Sequence, residues 1–233
     1  SFCEVPALVS VKMILLLFPL VTVLSVNFHC LKPDCILAVI YIRHNDFLAV
    51  SREGERWCKL MECETVADLN DLVCSGRIRE LIRVNEALHE KRYAQIADAV
   101  CQRDARAVML AGPSSSGKTT SANRLAVQLR VHGKRPSLMS LDDYYIDRDK
   151  IAPGPDGKLD LEHINTLDTE LFRQDMAKLL QGEKVELPTF NFKTGKREWQ
   201  GHKLQLHPDS VIIVEGLHGL NPAMLPENVD SSL

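Results

Sequence analysis

Three short apolar runs in the second half of the chain predict buried strands. They cover residues 107–111, 137–141 and 211–214. Each run is shorter than a typical helix, and continuous apolar runs are typical of parallel strands that are covered on both faces. Segments with helical periodicity separate the runs. This alternation predicts an α/β fold, in which a parallel sheet is flanked by helices.

The apolar periodicity predicts three helices around these strands. After the first strand, apolar residues recur at helical spacing as far as a stop at Gly133. A second helix is predicted over 167–180, where Gly182 ends the pattern. Residues 77–100 predict a long amphipathic helix that links the N-terminal part to the first strand.

An apolar N-terminal stretch, residues 13–26, stands apart from this pattern. It is shorter than the roughly 20 residues of a membrane-spanning helix. Only Lys12 precedes it as a positive charge, which is weak for a signal peptide. We interpret it as a buried strand or helix of an N-terminal region, or as sequence that is not native to the domain. A membrane anchor is the alternative.

The overall composition is ordinary for a globular protein. Hydrophobic residues make up 45% of the 233 residues, charged residues 25%, and the net charge is −3. This charge does not favour a nucleic-acid or membrane-surface binder. The seven cysteines form no Cys-x-x-Cys pair and no zinc-binding spacing. We therefore expect reduced, mostly buried thiols in a cytoplasmic protein.

A phosphate-binding motif follows the first predicted strand. The run Gly112-Pro113-Ser114-Ser115-Ser116-Gly117-Lys118-Thr119 fits the pattern G-x-x-x-x-G-K-[ST] at every fixed position. Backbone N–H groups of such a loop surround the phosphates of a nucleotide, its lysine reaches the terminal phosphates, and its hydroxyl binds Mg²⁺. A chance glycine- and serine-rich turn is the alternative, but the flanking strand and helix favour ATP and Mg²⁺ as ligands.

Carboxylates follow the other two predicted strands. Ligands of open parallel sheets bind beyond the carboxyl ends of the strands, so Asp142 and Glu215 are expected beside the loop. Asp142 is predicted to be a general base and Glu215 a Mg²⁺ ligand together with Thr119. Asp143 is interpreted as a supporting or turn residue, and loop capping is the alternative for both aspartates. Thr120 is expected to contact an inner phosphate or to cap the helix.

These motifs together resemble the uridine kinase/phosphoribulokinase family of P-loop kinases. The resemblance extends over Gly-Pro-Ser-Ser-Ser-Gly-Lys-Thr-Thr, Ser-Leu-Asp-Asp-Tyr-Tyr at 140–145, Leu-Asp-Leu-Glu-His at 159–163, Pro-Thr-Phe-Asn-Phe-Lys-Thr-Gly-Lys-Arg at 188–197 and Val-Glu-Gly at 214–216. Residues 46–106 look like the linker of bacterial-type nucleoside kinases, which carry a threonyl-tRNA-synthetase-like N-terminal region. The resemblance covers roughly residues 46–225 and implies a helical linker region (46–106) and a C-terminally truncated P-loop nucleoside kinase domain (107–233). Residues 1–45 do not clearly resemble the family and form an N-terminal apolar region of unclear origin.

The resemblance also implies roles for individual residues. Asp142 would activate the 5′-hydroxyl of a nucleoside, and Glu162 would bind the ribose hydroxyls, although it could be a plain surface carboxylate. Tyr145 and Phe190 would surround the base, with core packing as the alternative. Arg197 would lie near the acceptor, or be a solvated surface arginine.

Two departures from the family pattern affect the expected activity. Gly195 stands where the uridine–cytidine kinases have a base-contacting histidine. The chain stops at Leu233, before the family's lid arginines and with fewer strands than the usual five or six, so we expect a C-terminally truncated chain. Loss of such arginines costs about 10³–10⁵ in rate by analogy with arginine fingers.

The expected partner is a nucleoside, with pyrimidines favoured, and neither DNA nor a membrane. Two alternatives stay open. One is the same fold acting on a sugar phosphate or a pantothenate-like alcohol. The other is a nucleotide-binding regulatory module whose N-terminal region recognises RNA or another partner.

Overall fold

A computed structural model describes residues 8–12, 37–38, 44–153, 157 and 159–224. The apolar stretch 13–26, and the interpretations attached to it, lie outside the described residues. The described strands are β1 Leu8–Lys12, β2 Leu37–Ala38, β3 Ala107–Ala111, β4 Arg135–Ser140, β5 Lys184–Glu186, β6 Thr189–Asn191, β7 Lys196–Glu198, β8 Lys203–Gln205 and β9 Ser210–Gly216. The described helices are α1 His44–Leu60, α2 Val66–Cys74, α3 Ile78–Gln102, α4 Lys118–Val131 and α5 Thr169–Leu180.

A five-stranded parallel sheet forms the centre of the fold, in the order β2-β1-β3-β9-β4. The three strands predicted after residue 106 are confirmed as β3, β4 and β9. The sheet is extended to five strands by β1 and β2, from the N-terminal region for which the sequence indicated no place. The expectation of fewer strands than the usual five or six is therefore wrong. The β1 strand pairs with β3 over its whole length.

The two faces of the sheet bury different side chains because successive residues of a strand point to opposite faces. Val108 and Leu110 of β3 pack in one core together with α3 and α4. Ala107 and Met109 pack in a second core on the other face, together with α5. All seven residues of β9 are buried, as expected for a central parallel strand.

The predicted helices are confirmed, with small shifts at their ends. The linker helix is α3, Ile78–Gln102, and its second half packs against α4 through Tyr93, Ile96 and Val100. The α5 helix begins after Asp168, whose side chain accepts a hydrogen bond from the Leu171 N–H and so caps it. The α2 helix begins with a capping box formed by Thr65 and Asp68.

Two small antiparallel sheets lie outside the main sheet. One pairs β5 with β8 and the other pairs β6 with β7. These three-residue strands have no counterpart among the strands predicted from the sequence. The β6–β7 hairpin carries Phe190 and Arg197, which are paired across it.

Candidate active site

The phosphate loop, Asp142 and Glu215 lie at one edge of the sheet. In the register of the strands, Ala111 at the end of β3 is opposite Gly216, and Ser140 at the end of β4 is opposite Glu215. The loop 112–117 follows β3, and a 3₁₀ turn, Leu141–Tyr144, follows β4. The predicted convergence of these three segments is therefore present in the fold.

The phosphate loop connects β3 to the first turn of α4. Ser115 has φ 58° and Gly117 has φ 82°, so the backbone turns sharply before the helix. Gly117 is the N-cap, and the helix start has no side-chain cap, which leaves its backbone N–H groups available to an anion. Thr120 lies in this first turn. Because Gly117 is the N-cap and no side chain caps the helix, Thr120 does not have the helix-capping role that the sequence left open for it.

The charged and hydroxyl groups of the loop have distinct surroundings. Lys118 Nζ donates a hydrogen bond to the Pro113 carbonyl at 2.9 Å. Ser116 Oγ is buried and has no hydrogen-bond partner among the described residues. Buried hydroxyls normally have a partner. An unpaired hydroxyl inside a loop of backbone amides therefore fits the anionic oxygen of a phosphate.

Thr119 and Glu215 form the pair of oxygen donors predicted to bind Mg²⁺. Thr119 Oγ1 donates to Glu215 Oε1 at 3.0 Å, and Ser140 Oγ donates to the same oxygen at 3.3 Å. Glu215 is 9% exposed. A carboxylate with two neighbouring hydroxyls is a donor set of the kind that Mg²⁺ prefers, so these residues fit the ion. The sequence analysis did not identify Ser140 as a residue of this site.

Asp142 and Asp143 are adjacent in the chain but differ in their contacts. The Asp142 backbone N–H donates to Ser140 Oγ at 3.3 Å, whereas Asp143 Oδ1 accepts a hydrogen bond from the Phe190 N–H at 3.1 Å. Burial raises the pKa of Asp142, the Lys118 ammonium opposes this, and the Asp143 charge adds to it. Burial also raises the pKa of Asp143.

An aromatic cluster lies next to the aspartates. The Tyr145 ring lies 5.5 Å from that of Phe190, and the Phe192 ring lies 5.1 Å from Phe190 and 6.2 Å from Tyr145. Phe190 is buried, while Phe192 is 54% exposed. Burial raises the pKa of Tyr145, and the charges of Asp142 and Glu162 raise it further. Phe192 was missed, although it lies two residues after Phe190 in the quoted motif.

Glu162 is exposed, and its backbone is held by a histidine. His218 Nε2 forms a hydrogen bond with the Glu162 carbonyl oxygen at 2.7 Å. His218 thus connects the segment after β9 to the segment that carries Glu162. The negative charge of the Glu162 side chain raises the pKa of Tyr145. Its predicted ribose contact stays a prediction.

Arg197 is engaged by two carboxylates. Its guanidinium donates to Asp168 Oδ2 at 2.8 Å, and its backbone N–H donates to Asp147 Oδ1 at 3.0 Å. The arginine side chain is 22% exposed. It is therefore not a freely solvated surface arginine, which was one of its two interpretations. Asp168, which also caps α5, was missed as its partner.

Two glycines allow close approach of neighbouring segments. At Gly195, which has φ +68°, an added Cβ would lie 2.6 Å from Arg148 Cδ. At Gly216, immediately after Glu215, an added Cβ would lie 2.5 Å from the Cβ of Leu141.

The described residues contain no group of three or more His, Cys, Asp or Glu residues suited to a metal. The described cysteines are free, as expected, but Cys63 alone is buried, while Cys74 is exposed. The expectation of mostly buried thiols is thus wrong for this part of the chain. No helix within the described ranges is long and apolar enough to cross a membrane.

Comparison with known proteins decides the family. The profile of the phosphoribulokinase/uridine kinase family matches residues 107–232, more than half of the chain. The chain belongs to this family. This phosphoribulokinase/uridine kinase segment begins at the first residue of β3 and includes the loop and both carboxylates.

Individual family members resemble the chain at moderate identity. A uridine kinase from Lactobacillus helveticus is 32% identical over 108 residues, which cover 46% of this chain and 50% of that protein. A uridine kinase from Proteus mirabilis is 30% identical over 128 residues, or 54% of this chain and 59% of that protein. The chain spans about half the length of these relatives. A solved structure of a possible uridine kinase from Bacillus stearothermophilus aligns with a TM-score of 0.43 and 20% identity, over 54% of this chain and 70% of that chain.

Proposed function

We propose that this chain is an ATP-dependent nucleoside kinase that phosphorylates the 5′-hydroxyl of a nucleoside, with a pyrimidine nucleoside as the favoured acceptor. The observation that carries the proposal is the meeting of the phosphate loop, the Thr119–Glu215 pair and Asp142 at adjacent strand ends. The relatives named uridine kinase support the choice of acceptor. The likeness of residues 46–106 to the linker of bacterial-type nucleoside kinases stays a prediction.

In this proposal the loop binds and neutralises the triphosphate. The free N–H groups at the start of α4, the Ser116 hydroxyl and Lys118 contact phosphate oxygens. Lys118 would exchange its bond to the Pro113 carbonyl for these oxygens. Thr119 and Glu215 would hold Mg²⁺, which supplies charge neutralisation when it is bound. Ser140 keeps the Glu215 carboxylate oriented.

Asp142 takes the proton in the proposed reaction. The acceptor 5′-oxygen forms a bond to the γ-phosphorus, the bond from that phosphorus to its bridging oxygen breaks, and ADP leaves. The proton of the acceptor hydroxyl passes to the Asp142 carboxylate. The raised pKa of Asp142 strengthens it as a base relative to an exposed aspartate. Tyr145 and Phe192, which pack against the buried ring of Phe190, would form an aromatic surface for the base of the acceptor.

The test is ADP release from ATP and Mg²⁺ with a panel of acceptors: uridine, cytidine, adenosine, a pentose phosphate and pantothenate. Stimulation by a pyrimidine nucleoside is expected. If only the pentose phosphate or pantothenate stimulates ADP release, the acceptor is another alcohol and not a nucleoside. ATP binding without turnover on any acceptor would favour a nucleotide-binding module.

Two variants connect this activity to the site. Lys118→Ala is expected to lower kcat/KM by about 10²-fold or more, because the loop loses its cation. Lys184→Ala, on an exposed strand residue, serves as the control.

Asp142→Asn is expected to lower kcat by about 10²–10⁴-fold and to leave ATP affinity unchanged, because the base acts on the acceptor. Wild-type turnover in either variant would contradict the assigned role.

A further inference from the structure

The β6–β7 hairpin has no strand ladder to the main sheet. It forms its own two-stranded sheet, with Thr189 opposite Glu198 and Asn191 opposite Lys196. Nevertheless it carries two of the three rings of the aromatic cluster. Other contacts must therefore fix its distance from the sheet edge where the loop and Asp142 lie.

The segment that follows Asp142 supplies these contacts. Asp143 Oδ1 accepts from the Phe190 N–H at 3.1 Å. Further along, Asp147 Oδ1 accepts from the Arg197 N–H at 3.0 Å, and the Arg148 N–H donates to the Gly195 carbonyl at 2.9 Å. At the outer end, Lys196 forms an ion pair with Asp149.

The Asp143 contact differs from the others in its place. It joins the residue next to Asp142 directly to the backbone of a ring residue of the cluster. Phe190 is 6% exposed, and a buried backbone N–H without a partner is costly. The Lys196–Asp149 pair is exposed on both sides, and pairs of this kind contribute little.

We propose that Asp143 is a positioning residue, which sets the distance between the Asp142 carboxylate and the aromatic surface through its hydrogen bond to the Phe190 N–H. One backbone step and one hydrogen bond then connect the base to the acceptor site. The catalytic consequence rests on the proposed function, whereas the contact itself does not. Asp143 does not touch the reacting atoms in this assignment.

The first measurement is hydrogen exchange at the Phe190 amide in the whole chain. Asp143→Ala removes the acceptor, and the exchange rate is expected to rise by about tenfold. Asp143→Asn keeps a side-chain oxygen at Oδ1 and is expected to retain the protection. Asp149→Ala breaks the exposed ion pair and is the matched control. An unchanged Phe190 rate in Asp143→Ala overturns the inference.

The second measurement is acceptor affinity. Titration of uridine into the protein with a non-hydrolysable ATP analogue is expected to show about tenfold weaker binding for Asp143→Ala, near-wild-type binding for Asp143→Asn, and unchanged affinity for the analogue in both. If Asp143→Ala weakened the binding of uridine and of the ATP analogue equally, the cause would be a general loss of structure, and this result would overturn the assignment.

The turnover of Asp143→Asn separates positioning from base catalysis. Retained kcat supports positioning, and a loss equal to that of Asp142→Asn would identify Asp143 as the base and overturn the assignment. If wild-type protein binds and phosphorylates no nucleoside, the proposed function fails. The Phe190 exchange rates then still decide whether Asp143 positions the hairpin.

Discussion

Burial and neighbouring charges control the acid–base properties of single residues in this site. Burial has the largest effect on the pKa of Asp142 and raises it, while the Lys118 ammonium lowers this pKa and the Asp143 carboxylate raises it further. Two residues after Asp142 in the chain, the fully buried Tyr144 donates a hydrogen bond to the buried Asp175 at 3.0 Å. Both arrangements have measurable pH consequences.

The first consequence concerns the pH dependence of turnover. A base must be deprotonated to act, and the pKa of Asp142 is raised above its ordinary value. Activity should therefore fall on acidification at a higher pH than it would for an exposed aspartate. The measurement is the acid limb of kcat/KM for the acceptor between about pH 3 and pH 8, a range that begins below the ordinary aspartate pKa of about 3.9. A limb in the range of an exposed carboxyl would contradict the role of Asp142.

The second consequence concerns stability at Asp175. Burial raises the pKa of this carboxyl, so the folded state favours the protonated form. Its contribution is fully present below the unfolded pKa and is lost as the pH rises through the folded pKa. Asp175→Asn keeps an acceptor for Tyr144 and is expected to increase the free energy of unfolding at pH 7. Tyr144→Phe is expected to decrease it by about 1–3 kcal/mol, because the carboxylate loses its hydrogen bond.

Urea denaturation at pH 5 and pH 8 measures both variants. The advantage of Asp175→Asn over wild type should grow with pH, since the asparagine does not titrate. An advantage that is equal at both pH values would show that the Asp175 carboxyl does not titrate between them.

At the scale of elements, the β6–β7 hairpin depends on a turn that a side chain would disturb. Gly195 has φ +68°, and the Arg148 side chain packs where its Cβ would be. Gly201 has a similar φ of +77° but open space around it. Substitutions at these two positions therefore distinguish the cost of backbone strain, present at both, from the cost of steric contact, present only at position 195.

Gly195→Ala is expected to destabilise the fold by more than Gly201→Ala. A left-handed conformation costs a non-glycine residue about 1–2 kcal/mol at either position, and contact with Arg148 adds to this at 195. In the Arg148→Ala background only the Cβ of residue 148, at 3.1 Å, would still crowd the added methyl group, so the two glycine variants should become more similar in their effect on thermal unfolding. A difference as large as in the wild-type background would assign the extra cost to something other than the Arg148 side chain.

Elements with strong periodicity could be predicted from the sequence, and the shortest ones could not. The α3, α4 and α5 helices repeat apolar residues over three or more turns, and β3 and β9 contain continuous apolar runs. The edge strand β4 has a shorter apolar segment, Leu138-Met139. Strands β5 to β8 have three residues each, too few for any period to emerge. Pairing with a partner strand defines them, and that depends on tertiary contact.

The same distinction applies to the site. The phosphate loop is encoded by fixed spacing within eight residues, and Asp142 and Glu215 follow recognisable strands. The Asp143–Phe190 contact spans 47 positions, and the Ser140–Glu215 contact spans 75. Such contacts depend on how distant segments pack, so the roles of Asp143 and Ser140 could not be derived from local pattern.

At the scale of the whole molecule, α3 connects the N-terminal helices to the core beside the phosphate loop. Tyr93 of α3 forms a hydrogen bond with Ser121 of α4 at 2.8 Å, and Ile96 packs in the shared core. Arg124 and Gln128 of α4 contact Glu90. The helix thus acts as part of the support for α4 rather than only as a connection.

Truncation of an α3 side chain should therefore affect the entire domain. Ile96→Ala is expected to reduce the free energy of unfolding by about 2–5 kcal/mol, because it leaves a cavity in the core. Ile82→Ala, on the same helix but 49% exposed in the wild type, should cost much less. Thermal unfolding and ATP affinity are the measurements. If Ile96→Ala reduced the free energy of unfolding as little as Ile82→Ala does, the packing of α3 would not contribute to the core.

Gly216 has a wider consequence for how this chain tolerates mutation. The strand with Glu215 and the turn with Asp142 approach one another where position 216 has no side chain. A single methyl group there would push against Leu141 and separate the two carboxylates without altering either. Natural variation at position 216 should thus be as restricted as at the charged positions, and a variant there would resemble an active-site lesion in a residue with no functional group.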